Sequence, residues 1–187
     1  SGDVGNRTYG IDMKLHNTIA SAAFIALLSA GAAVAKDALP KDGDTFTKWG
    51  DADGWAIYMD GAKGSCLAER QDANGNILQM GATDDKSLGY IGVFTQADIG
   101  LKNGKGNLTV SIDGNMYEGP SRTVAKHLPA GYQGGYLLAN NPVFIEDVMK
   151  KYDMVVSPGH ANSFNVSLDG TFKAIEAARK CQSELGS

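Results

Sequence analysis

The chain has 187 residues, 43% of them hydrophobic and 20% charged, and a formal net charge of −4. It carries no Lys/Arg cluster, and a mildly acidic chain without one is a poor partner for nucleic acid or an anionic membrane. Two cysteines and three histidines are its whole stock of thiol and imidazole groups.

Residues 1–12 precede Met13 and read as a vector-derived remnant or as sequence upstream of the true start. Residues 13–35 read as a secretory signal peptide. Met13-Lys14 supplies a positive charge, Ile19 to Leu28 is a short apolar run, and Ala33-Val34-Ala35 is a small-x-small cleavage site before Lys36-Asp37. The run is Ala-rich and shorter than the roughly 20 strongly apolar residues of a spanning helix. A lipid anchor would need a cysteine just after it, and the first cysteine is Cys66. The expectation is cleavage near Ala35, a periplasmic or secreted protein, and no membrane span in the mature chain. About 150 residues remain, which suits one domain with a single core.

Export governs how the cysteines read. In an oxidising compartment an even pair implies a disulfide, Cys66–Cys181. Metal binding or a reactive thiol are the alternatives, but there is no C-x-x-C and no histidine near either residue.

Residues 36–54 are polar and turn-rich and read as an N-terminal arm, ahead of a single β-rich domain over 55–187. Trp55–Met59 and Ser65–Arg70 read as strands joined by a hairpin loop. Asp72–Asn76 turns the chain into a strand over 77–80. Leu88–Phe94 is another strand, and its glycines mark a bulge or close packing. Leu108–Ile112 alternates, Asp113-Gly114 is a strong hairpin signal, and 115–118 is the partner strand. Residues 119–135, with Pro120 and Pro129, read as irregular, and 136–138 as a short strand. Asn141 is a good N-cap with Pro142 at the first helical position. Phe144, Ile145, Val148, Met149 and Tyr152 then recur at helical spacing, with Glu146 and Asp147 early and Lys150 and Lys151 late. Residues 154–156 and 163–168 read as strands about a Pro158-Gly159 turn. A last helix, about 171–184, puts Phe172, Ile175, Ala178, Cys181 and Leu185 near one face. The fold class expected is α+β: mostly antiparallel β, sandwich-like, with two helices near the C-terminus.

Chemistry-bearing motifs are scarce. An EF-hand loop started at Asp51 would put Ala56 at position 6 and Ala62 at position 12, and one started at Asp72 puts Ile77 where glycine is needed, so turn chemistry explains both acidic stretches. His127 and His160 sit beside Pro/Gly loop signals without a companion motif, and no H-E-x-x-H, G-x-S-x-G or S-x-x-K is present. Gly100–Gly106 lacks the spacing of a phosphate loop and reads as a turn. No catalytic residue, cofactor site or metal site is assigned. Trp49, Trp55, Tyr132 and Tyr136 are candidate ligand contacts in a groove, against the plainer reading that they pack the core or its rim.

The order of elements resembles a family. Trp55 on an early strand and Cys66 soon after are followed by Val110-Ser-Ile-Asp113-Gly114, the helix Phe144-Ile-Glu-Asp-Val-Met-Lys-Lys, and the segment Asn165-Val-Ser-Leu-Asp-Gly170-Thr-Phe-Lys-Ala174. This pattern is similar to the invasion-associated locus B family of alphaproteobacterial exported proteins. The chain departs from it in lacking the family's extra cysteines, in Thr171 before the phenylalanine, and in a cysteine on the last helix. The resemblance implies a β-rich periplasmic or outer-surface protein, not known as an enzyme, sometimes linked to host-cell entry, and it carries over no catalytic residue. The expected function is therefore a non-enzymatic exported protein with an interaction or envelope-associated role, its partner a protein or small molecule of unknown identity. The second reading is a periplasmic small-molecule or peptide binder using the aromatic groove. A third is a hydrolase that assembles only in space, which requires His127 or His160 beside a serine or carboxylate.

Overall fold

The computed structural model describes residues 39–40, 44–61, 63–83, 86–101, 106–122 and 128–185. The signal-peptide segment 13–35, its cleavage site and His127 lie outside these residues. The elements are β1 (Phe46–Ala52), β2 (Trp55–Asp60), β3 (Ser65–Gln71), β4 (Ile77–Ala82), β5 (Gly89–Thr95), β6 (Asn107–Ile112), β7 (Asn115–Arg122), β8 (Gln133–Ala139), α1 (Pro142–Lys150), β9 (Asp153–Val156), β10 (Phe164–Ser167) and α2 (Thr171–Leu185). The strands hydrogen-bond in the order β1-β2-β3-β4-β5-β8-β7-β6-β9-β10, with every pairing antiparallel.

Two sheets share β7. Its first part runs beside β6, from Ile112↔Asn115 to Asn107↔Pro120, and its last two residues pair with β8 at Ser121↔Gly135 and Arg122↔Gly134. Pro120 has no N–H to give a ladder, so it sits where the strand changes partner. Gly119, just before it, permits a close backbone approach: a Cβ there would run into the Tyr136 carbonyl. The inner faces of the two sheets share one core, including Trp55, Ile57, Leu78 and Ile91 from one sheet and Leu108, Val110, Met154 and Val166 from the other. This is the sandwich-like arrangement that alternating strands produce when each hides one face.

The local signals explain the turns. Asp113 (φ 50°) and Gly114 (φ 86°) form the β6–β7 turn, and Asp53 (φ 50°) and Gly54 (φ 82°) form the β1–β2 turn. Both are Asp-Gly pairs in the left-handed region that a two-residue hairpin needs. The first strand arises inside the stretch that its polarity assigns to an arm. It is an edge strand whose register shifts between Lys48 and Gly50, so its pattern does not alternate cleanly. Likewise β7 and β8 extend into 119–135, where prolines and glycines mask the strand signal. In β5 the glycines mark close packing: the register of β5 against β4 and β8 is unbroken, and a Cβ on Gly92 would lie 2.6 Å from the Tyr136 ring.

Both helices start where the residues predict, and their buried faces are narrower than the spacing suggests. Asn141 accepts from the Val143 N–H (2.9 Å) and Pro142 opens α1. Phe144 and Val148 are buried, whereas Tyr152 lies beyond the helix and is 74% exposed. On α2 the buried stripe is Thr171, Ala174, Ala178 and Cys181, and Phe172 falls just off it and faces outward. Neither helix has an acidic first turn. Glu146 instead lies 2.5 Å from Lys150 one turn on, and Asp147 points into the fold.

Cys66 and Cys181 form the disulfide, with an S–S distance of 1.99 Å and a Cα–Cα distance of 6.1 Å across a separation of 115 residues. It ties α2 to β3. Beside it the Gln182 side chain accepts from the Cys66 N–H (3.2 Å) and donates to the Gly64 carbonyl.

Candidate functional site

The four candidate aromatics do not converge on a groove. Trp55 is fully buried in the core between the sheets, where its Nε1–H donates to the Asp169 carbonyl (3.0 Å) and the Arg70 guanidinium stacks 4.6 Å from the ring centre. Tyr136 is fully buried on the opposite face of its sheet, in a smaller cluster with Leu39, Ile77, Tyr90 and Phe94. It meets Tyr90 and Phe94 edge-on at 5.4 and 5.2 Å, and its hydroxyl donates to Gln79 Oε1 (2.9 Å). Tyr132 flanks that cluster, and its hydroxyl donates to the Gly75 carbonyl (2.6 Å). Trp49 lies at the β1 register shift, donating to Glu184 Oε2 (3.0 Å) on α2. The pairing register aligns Ile57 with Leu137 across β3, β4 and β5, so Trp55 and Tyr136 point to opposite sides of the sheet, and the rings pack in the core or at its rim.

The carboxylates of the two acidic stretches and the loop histidine His160 are engaged by other protein groups. Asp72 Oδ1 accepts from the N–H groups of Asn74 (2.8 Å) and Asn76 (2.9 Å), a local Asx turn. Asp51 pairs with Lys48 at 2.8 Å and Asp53 with Lys173 at 3.4 Å. His160 Nδ1 accepts from the Asn162 N–H (3.1 Å), and its other ring edge lies against Gly100. Among the described residues no three His, Cys, Asp or Glu side chains gather as a metal site.

What the fold does build is a cavity of about 360 Å3 between the two helices and one end of the first sheet. Phe144, Ile145, Val148 and Met149 come from α1, and Ile175, Ala178, Arg179 and Gln182 from α2. Met80, Ala82, Ile91 and Ala139, at the ends of β4, β5 and β8, form the floor, with Lys86 and Ser87 at the β4–β5 turn. Phe144, Ile145, Val148 and Met149 of the first helical stripe and Ile175 and Ala178 of the second face this space, and the polar Gln182 joins them. Periodicity identifies such a stripe but not the gap between two of them. Ile145 stays 38% exposed as a result, at a position where the stripe alone predicts burial.

A second hollow, about 370 Å3, lies among Asp44, Thr45, Phe46, Tyr58, Leu67 and Glu69. It is more polar: Asp44 pairs with Lys63 at 2.6 Å, and burial raises the Glu69 carboxyl above the usual range while Gln79 Nε2 donates to it (2.7 Å). The apolar cavity is the better binding site, because displacing water from apolar walls is favourable and stripping it from carboxylates is not.

The wall formed by α1 is held in place by Asp147. Its Oδ2 accepts from Asn115 Nδ2 (2.9 Å) and from the Tyr117 hydroxyl (2.7 Å), while the Tyr117 ring packs 4.6 Å from Phe144. These hydrogen bonds hold the Asp147 carboxyl below its ordinary value, and burial together with Asp147 pushes the Tyr117 phenol up to about 12. The sign follows directly. A depressed carboxylate stabilises the fold fully above its unfolded value of about 3.9, and that stabilisation is lost as pH falls through the lower folded value. Asp147→Asn should therefore lower stability at neutral pH by about 1–2 kcal/mol. It should also flatten the loss of stability between neutral pH and pH 3. Thermal melts of both proteins across that range check this, and parallel curves would show that Asp147 plays no such part.

No protein-family model, curated protein or solved structure matches the chain. The class that fold and site define is a disulfide-tied, mostly antiparallel β protein with an apolar cavity between helices α1 and α2 and a sheet.

Proposed function

We propose that the chain is an exported, non-enzymatic protein that acts by binding, in keeping with the interaction role implied by the invasion-associated locus B resemblance. Its site in this reading is the cavity between α1, α2 and the sheet, not an aromatic groove. The observation that carries the proposal is that cavity itself: concave, apolar over most of its wall, and of a volume at the small end of the roughly 300–1,000 Å3 typical of ligand sites. The disulfide supports the exported half of the reading, since such bonds persist in oxidising compartments. Among the described residues no helix is long and apolar enough to cross a membrane. The non-enzymatic half of the reading rests on the resemblance, which carries over no catalytic residue.

The test is a neutral, solvatochromic apolar dye titrated into the protein. Ala82→Trp or Ala139→Phe should fill the cavity and weaken dye binding by about tenfold or more, about 1.4 kcal/mol. Both positions are partly exposed, so near-UV circular dichroism should stay native. Dye affinity unchanged in both folded variants would remove the cavity as the binding site.

A further inference from the structure

We infer that the cavity takes a single-chain amphiphile with an anionic head, of the class of an ionised medium-chain carboxylic acid, its tail between the helices and its carboxylate at Arg179 and Lys86. This rests on the binding reading above and specifies its ligand.

Three observations converge. The first is the charge of the lining. Lys86 and Arg179 are its charged members, both cationic, and no carboxylate lines the cavity among the described residues. Asp84 and Asp85, which precede Lys86, lie outside those residues. The second is that these two cations have no ion-pair partner among the described residues. Lys48, Lys63, Lys150, Lys151 and Lys173 each lie against a carboxylate, whereas Lys86, Arg179 and the neighbouring Lys180, which does not line the cavity, have no ion-pair partner among the described residues. The charge carried by the described lining residues at the rim of this apolar space is therefore positive.

The third is how the polarity is distributed. Phe144, Val148, Met80, Ile91 and Ala178 are buried and line the cavity, while Arg179 and Lys86 are exposed. A tail would exclude water from the inner wall as the carboxylate stayed hydrated beside the cations, avoiding the cost of burying a charge. The Gln182 amide in the lining already bonds Gly64 and Cys66, and the cations are the charged partners for the head group. A volume of about 360 Å3 suits one chain and not two.

Competition against the neutral dye tests this. Dodecanoate and dodecan-1-ol, matched in length and kept below micelle-forming concentrations, are titrated at neutral pH into the intact protein. Variants Arg179→Ala, Lys86→Ala, their double and Arg179→Glu are run alongside. Dodecanoate should displace the dye at roughly fivefold lower concentration than the alcohol. The double variant should erase that preference, Arg179→Glu should reverse it, and added salt should shrink it. Equal displacement by acid and alcohol in the native protein, or a preference that survives the double variant, overturns the anionic head while leaving the apolar cavity standing. If neither the dye nor either amphiphile binds, the cavity reading fails and this proposal falls with it.

Discussion

Reduction of the Cys66–Cys181 disulfide, or Cys66→Ala with Cys181→Ala, should lower stability by about 4 kcal/mol. For a domain of this size that corresponds to a fall in Tm of roughly 8–16 °C. The bond closes a separation of 115 residues, so its removal returns much conformational freedom to the unfolded chain. The effect should begin at α2. With the bond gone, that helix is held to β3 by Gln182 and by a stripe of small side chains, Ala174 and Ala178, whose burial contributes less than larger residues would. Hydrogen exchange in α2 should therefore rise ahead of global unfolding. Because α2 forms one wall of the cavity, dye binding should weaken under the same conditions. Complete reduction, verified by thiol titration, with no change in Tm would refute this.

Trp55→Ala should cost about 3–5 kcal/mol, through a large cavity in the core between the sheets. Trp55 is 0% exposed. Its loss would also remove the Nε1–H bond to Asp169 and the ring beneath Arg70, whose guanidinium donates to the carbonyls of Ser167 and Asp169. That side chain is partly desolvated, and burial lowers its pKa. A cation left beside an empty space keeps its desolvation cost and loses its aromatic partner. Trp55→Phe separates the contributions, keeping much of the buried area and losing the hydrogen bond, so it should cost about 1–2 kcal/mol. Denaturant titrations of both variants measure the difference. If alanine and phenylalanine cost the same, the core-filling account of Trp55 is wrong.

The residues of this chain carry its local structure legibly. Asp113-Gly114 demands a hairpin because an aspartate and a glycine tolerate the left-handed backbone of that turn. Asn141-Pro142 opens a helix because the one caps and the other needs no N–H partner. Two cysteines allow a single pairing, so the disulfide follows once oxidation is granted. Less legible were the edge strand β1, whose register shift breaks alternation, and the ends of β7 and β8, where Pro120 and a run of glycines imitate a loop.

The candidate site shows the limit more sharply. Alternation says that Trp55 and Ile57 share a face, and helical spacing says the same of Ile175, Ala178 and Cys181. Neither says which face of which sheet lies opposite. Tyr132 and Tyr136 look like neighbours of the tryptophans only because aromatic rings look alike in one dimension. In three dimensions β8 places Tyr136 over Gly92, on the far side of the sheet from Trp55. The apolar stripes of α1 and α2 were visible, but the space between them depends on the distance at which Asp147 and the disulfide hold the helices. The sequence by itself determined most of the strands, the turns, the cap of α1 and the cysteine pair, because these depend on residues close in the chain or on simple counting. The tertiary structure alone decided the partner change in β7, the dispersal of the aromatics and the cavity with its two cations. Those depend on long-range packing, and no local pattern encodes the distance between two elements.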